Sequence, residues 1–152
     1  MAAGRGKSPL RPGLCAEIHQ QRARGEAMLG AAERDVRRRL DAARDELSGA
    51  AGRQARDEPG AHYSEQLLTL QTAVCLTEAG RPTESVVLYE RILAGGIASA
   101  RDDAYFRILL SASLALSGEP DEAARTACGA LPVAVATHSR RSIGEARALL
   151  GA

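Results

Sequence analysis

The segment Gly80-Arg81-Pro82-Thr83-Glu84-Ser85 returns 38 residues later as Gly118-Glu119-Pro120-Asp121-Glu122-Ala123. Each copy separates two apolar stretches and so reads as a corner between helices. The Gly supplies the left-handed conformation that closes one helix, and the Pro falls at the start of the next, where a missing N–H costs nothing. The Glu two residues after the Pro sets negative charge against the positive end of the new helix's dipole. The small residue that follows, Ser85 or Ala123, lets two helix backbones approach closely. A repeat of about 20–50 residues built from helix, turn and helix is the mark of a helical solenoid.

The flanking sequence fits that frame. Leu67, Leu70, Ala73, Val74, Leu76 and Thr77 predict a helix over 62–79 with Ser64 as N-cap, ended by Gly80. Val86, Val87, Tyr89, Ile92 and Leu93 predict its partner over 83–94, stopped by Gly95-Gly96. Phe106, Leu109, Leu110, Leu114 and Leu116 predict a third helix, N-capped by Asp102 or Asp103 and ended by Gly118. The fourth, from Pro120 to about 131, is Ala-rich on its buried side (Ala123, Ala124, Ala127, Cys128, Leu131), with Pro132 as its stop. Ile143, Ala146, Leu149 and Leu150 predict a capping helix within 138–150.

Upstream, 14–50 reads as a helical segment in two pieces, interrupted at Gly25 and Gly30. Its second piece carries Val36, Leu40, Ala43 and Leu47 at spacings of four, three and four, one apolar stripe. Residues 51–61 lack periodicity and are expected as a linker, and 1–13, rich in Gly, Pro and basic residues, as a disordered tail. The expected class is all-α.

Aromatic residues number four (Tyr63, Tyr89, Tyr105, Phe106) against 30 Ala, so the core must be aliphatic and small, which favours closely packed helices. Net charge is +1, and no global field draws in nucleic acid or anionic lipid. Cys15, Cys75 and Cys128 are an odd set without short-range pairs, suiting neither a disulfide framework nor a zinc site. Neither an apolar signal core nor a membrane-length run is present, so a cytoplasmic setting is expected.

Chemistry-bearing motifs are sparse. Gly6-Lys7-Ser8 matches the end of a phosphate-binding loop, but Met1 stands where the first Gly must be. His19, His62 and His138 lie in separate segments, and Cys15 with His19 makes at most half of a zinc site, so no metal or cofactor is expected. Cys75 and Cys128 read as small core residues. The Arg37-Arg38-Arg39 run could touch phosphates, yet seven acidic residues balance seven Arg over 31–58. Acidic pairs such as Asp102-Asp103 fit helix starts better than acid–base catalysis, and no enzymatic activity is expected.

The corners and the positions around them resemble the tetratricopeptide repeat (TPR). Gly80, Ser85, Tyr89 and Ile92 occupy the family's second-helix positions, and Gly118, Ala123, Ala127 and Ala130 occupy them again. Thr72, Ala73 and Leu76, then Leu110, Ser111 and Leu114, match its first-helix positions. The family's early aromatic is replaced by Thr69 or Arg107, and the period is 38 rather than 34. The resemblance implies a TPR-like α-solenoid of antiparallel helical hairpins over 62–135. The run from Arg101 through Ala123, with Ala130-Leu131 and His138 to Leu150, also resembles the C-terminal repeat part of actinobacterial helix-turn-helix regulators of the Cro type. No counterpart of their DNA-binding domain is evident in 14–50.

The resemblance implies a non-enzymatic module that binds a protein or peptide, or a second copy of itself, on a concave face lined by Thr69, Thr72, Arg107 and Ser111. Nucleic acid would be reached only through a separate DNA-binding domain, and no membrane is involved. The competing expectation is direct nucleic-acid binding by the Arg-rich helix around 34–44.

Overall fold

The computed structural model describes residues 10–49 and 63–151, and these are all-α. Seven helices follow in order: α1 (Pro12–Met28), α2 (Glu33–Ser48), α3 (Glu65–Glu78), α4 (Pro82–Ala94), α5 (Ala100–Leu116), α6 (Pro120–Ala136) and α7 (Arg140–Leu150). The expected linker and residues 1–9 of the expected tail lie outside the described residues. Pro12 and Gly13, expected in that tail, instead open α1, since Pro is preorganised for a first helical turn. The chain forms two compact units, divided within α3 between Leu68 and Thr69.

In the first unit α1 packs against α2. The α2 stripe is buried as its spacing predicts: Val36, Leu40, Ala43 and Leu47. It meets a stripe of the same four-three-four spacing on α1, Ala16, Gln20, Ala23 and Ala27. Gly25 lies inside α1, and the interruption falls at Gly30. Tyr63 and Leu68 close the cluster around Ala16, Ala43 and Leu47. A Gln in such a stripe needs a partner, and the Tyr63 hydroxyl, buried with it, donates to Gln20 Oε1 at 3.2 Å.

The second unit is organised on α5, against which α4, α6 and α7 all pack, with α7 also touching α6. Its corners repeat in detail. Gly80 and Gly118 take φ of 74° and 85°. The residues after them, Arg81 (φ −116°, ψ 55°) and Glu119 (φ −113°, ψ 61°), have almost the same torsions. Arg81 N–H donates to Leu76 O at 2.8 Å and Glu119 N–H to Leu114 O at 3.0 Å, the six-to-one bond of a Schellman closure. The same closure recurs at Gly30 (φ 75°) and at His138 (φ 50°), where Ser139 N–H reaches Ala134 O at 2.9 Å.

Small residues then bring the helices together. Ser85 is fully buried, and its hydroxyl donates to Ala73 O at 2.8 Å. Thr77 Oγ1 lies 2.8 Å from Ser85 Oγ and 2.9 Å from Ser113 Oγ, so three hydroxyls from α3, α4 and α5 meet. At the equivalent place on α6, Ala123 is buried. Ala104 and Ile108 of α5 pack with Ala130, Ala134 and Ala146. The aromatic part of the core is Tyr89, Phe106 and Tyr105, with ring centroids 6.4 Å (Tyr89–Phe106) and 5.2 Å (Tyr105–Phe106) apart.

Three helix boundaries or faces depart from expectation. Pro132 lies inside α6 rather than ending it. The carbonyl it leaves unserved belongs to Cys128, on the helix's exposed side, where water can take it, and Ala134 remains buried two residues beyond the Pro. The N-cap of α5 is Ser99, whose hydroxyl accepts the Asp102 N–H at 3.2 Å. Asp102 and Asp103 occupy the first turn, and Asp103 pairs with Arg107. Of the side chains expected on the buried side of α6, Ala124 and Leu131 are exposed, as are Val87 and Leu116, which the sequence marks as apolar points of their helices. Ser64 does cap α3, accepting the Leu67 N–H at 3.2 Å.

Candidate functional site

The four residues expected to line a concave face do not form one surface. Ser111 is 0% exposed, and its hydroxyl donates to Ile108 O at 2.7 Å. Thr72 is 8% exposed and Thr69 half-buried. The physical reason at Ser111 is the central place of α5: with neighbours on several sides, the face that carries Ala104, Ile108 and Ser111 is covered. Arg107 does reach the surface. Asp103 holds it, accepting from Nε at 2.6 Å, beside Glu122, Arg125 and Thr126 of α6.

The basic run of α2 is neutralised residue by residue. Arg37 pairs with Glu33 at 2.7 Å, Arg38 with Asp35 at 3.1 Å and Arg39 with Glu26 of α1 at 3.0 Å. A basic run whose three guanidinium groups are each shared with a carboxylate presents no one-signed patch to phosphates. Cys15 is buried, with its thiol 3.6 Å from Leu10 O. His19 Nδ1 is buried without a hydrogen-bond partner among the described residues. Among the described residues no three His, Cys, Asp or Glu side chains converge as a metal site would require. Cys128, expected in the core, is exposed, because the buried side of α6 is set by Ala123, Ala130 and Ala134.

A concavity with both apolar and charged lining lies elsewhere, along α4 and α6. It is an open groove of about 410 Å³ whose apolar part is Val86 and Val87 of α4 with Leu114 of α5. Thr83, Val86, Val87 and Glu90 share one side of α4 because they recur at helical spacing. The corner at Gly118 brings Ser117, Glu119 and the first turn of α6, with Glu122 and Arg125, to its other side. Val87 is 58% exposed, an apolar side chain left to solvent by its own helix.

The rim is acidic. Glu122 accepts from Arg125 Nε at 3.1 Å, which neutralises both. Glu90 and Glu119 make no ion pair or side-chain hydrogen bond with the described residues. Sequence reasoning missed this site. The adjacent valines were a usable signal, since on a helix covered on one side only, neighbouring residues point apart, but the carboxylates of Glu90 and Glu119 come to one groove only in three dimensions.

A second hollow, of about 350 Å³ and largely polar, lies between the starts of α5 and α7, lined by Ser99, Arg101, Asp102, Tyr105, Ser139 and Arg141. The Arg141 guanidinium sits 3.9 Å from the centroid of the Tyr105 ring. Ser139 and Ser142 bond to each other at 2.7 Å and are buried. Asp102 beside the two Arg residues leaves the hollow mixed in sign.

No family model matches the chain, and neither a curated protein nor a solved structure matches it. No helix among the described residues is long and apolar enough to cross a membrane.

Proposed function

We propose that the chain is a non-enzymatic, TPR-like protein-binding or oligomerisation module, with α3–α4 and α5–α6 as antiparallel hairpins, α7 as their cap, and a role as the repeat part of a cytoplasmic transcriptional regulator. The observation that carries the binding reading is the open groove along α4 and α6. Val87 faces water there over an apolar floor, and such a strip is what a partner's side chains would cover. The near-identical torsions at Arg81 and Glu119 support the repeat reading, because equal corners set successive second helices side by side.

Two measurements test the proposal. Sedimentation velocity over a range of concentrations reads self-association, and peptide-display selection on the intact chain reads capture of a partner. Val87→Gln keeps a good helix former on an exposed site, so the fold should be retained while binding falls. An inert monomer that selects no peptide, or a selected peptide indifferent to Val87→Gln, refutes the groove as the binding face.

A further inference from the structure

Resting on that protein-binding reading, we infer that the partner of the α4–α6 groove is a cationic amphipathic segment: an apolar stripe flanked by Lys or Arg. The argument is one of charge accounting. Around the apolar floor stand Glu90, Glu119 and Glu122, against Arg125 as the only base among the described residues that line the groove. Arg125 is committed to Glu122, so the groove presents two uncompensated carboxylates, although the whole chain carries a net charge of +1.

An apolar floor with an acidic rim selects by both terms. The floor removes the partner's aliphatic side chains from water, and the two carboxylates favour bases flanking that stripe while disfavouring acidic segments. Phosphate-bearing partners are repelled for the same reason. An amphipathic helix offers this arrangement most economically, with apolar side chains at i, i+3, i+4 and i+7 and basic residues beside them.

The probe is a set of fluorescein-labelled amphipathic peptides that share one Leu stripe and carry Lys, Gln or Glu on the flanks, titrated with the intact chain by fluorescence anisotropy. At low salt the Lys peptide should bind roughly ten-fold tighter than the Gln peptide, in line with two exposed ion pairs, and the Glu peptide more weakly than either. The preference should shrink as salt rises to about 0.5 M, where the screening length falls to a few ångströms. The double variant Glu90→Gln/Glu119→Gln should bring Lys and Gln peptides to equal affinity while leaving the Gln peptide unchanged.

Equal binding of Lys and Gln peptides by the unaltered chain overturns the inference, as does a Lys preference that survives in the double variant. If the Gln peptide binds and Val87→Gln weakens it with no charge preference, the binding face stands and only the partner class falls. If no peptide binds and the chain is monomeric, both fall. A dimer dissolved by Val87→Gln identifies a second copy as the occupant and likewise overturns the cationic-segment inference.

Discussion

Ser85 is the residue at which the helix-crossing argument is most exposed to test. Ser85→Ala removes one hydroxyl from a cluster in which each proton has an alternative acceptor. Ser85 donates to Ala73 O, and Ser113 can donate to Leu109 O at 3.2 Å. Thr77 lies within reach of Ser85 Oγ, Ser113 Oγ and Ala73 O, the last at 3.1 Å. After the substitution Thr77 can turn to Ala73 O or Ser113, and no buried donor is orphaned. The cost is then one net hydrogen bond, about 1 kcal/mol, rather than the ~1–3 kcal/mol of a stranded polar group, and Ala's better helix propensity trims it further. Ser85→Val should cost about 2–4 kcal/mol, because the same bond is lost and an added methyl overpacks a fully buried site. Chemical denaturation followed by far-UV circular dichroism measures both. A double-mutant cycle with Thr77→Val should show coupling of roughly 0.5–1 kcal/mol, since the two hydroxyls share one bond. Two results would refute the reasoning: Ser85→Val no worse than Ser85→Ala, which denies a tight crossing, or Ser85→Ala costing well above 2 kcal/mol, which denies the alternative acceptors.

Further expectations concern α6. Ala123→Leu should destabilise by about 1–3 kcal/mol, whereas exposed Ala124→Leu should stay within about 0.5 kcal/mol; equal melting temperatures would mean that Ala123 does not mark a close helix crossing. Pro132→Ala should raise stability by about 1 kcal/mol or more, because it restores an N–H toward Cys128 O and relieves a mid-helix ring; unchanged stability would show that the helix already accommodates the Pro without cost. Under native conditions a maleimide should label Cys128 and spare Cys15 and Cys75, with peptide mapping by mass spectrometry as the readout; prompt labelling of Cys75 would contradict its burial.

The legible parts of the fold were those written in strong signals. Gly-x-Pro corners have few other uses, so Gly80 and Gly118 located both turns. The α2 stripe was plain because Val and Leu contrast with Arg and Asp. Its partner on α1 was hidden, since Ala and Gln carry little hydrophobic contrast, although Ala16, Gln20, Ala23 and Ala27 keep the same spacing. At Pro132 a local rule yielded to context: the missing bond faces water, and burial of Ala134 rewards continuing the helix. Ser111 failed as a surface residue because helical spacing tells which residues share a face, not how many neighbours the helix has. The groove failed to announce itself for a related reason, as Glu90 and Glu119 are unremarkable acids until α4 and α6 set them around one floor.

The matched torsions at Arg81 and Glu119 have a consequence for how this sequence can change length. A chain leaving Arg81 enters Pro82, and a chain leaving Glu119 enters Pro120, from almost the same backbone geometry. Residues 82–119 are therefore a cassette with interchangeable ends. Copying them in tandem, or excising them, joins a Gly-x exit to a Pro entry at a seam whose local conformation already exists elsewhere in the molecule. A recombination event of that kind meets a familiar backbone geometry at its junction, which gives the gene a route to longer or shorter chains in steps of 38 codons.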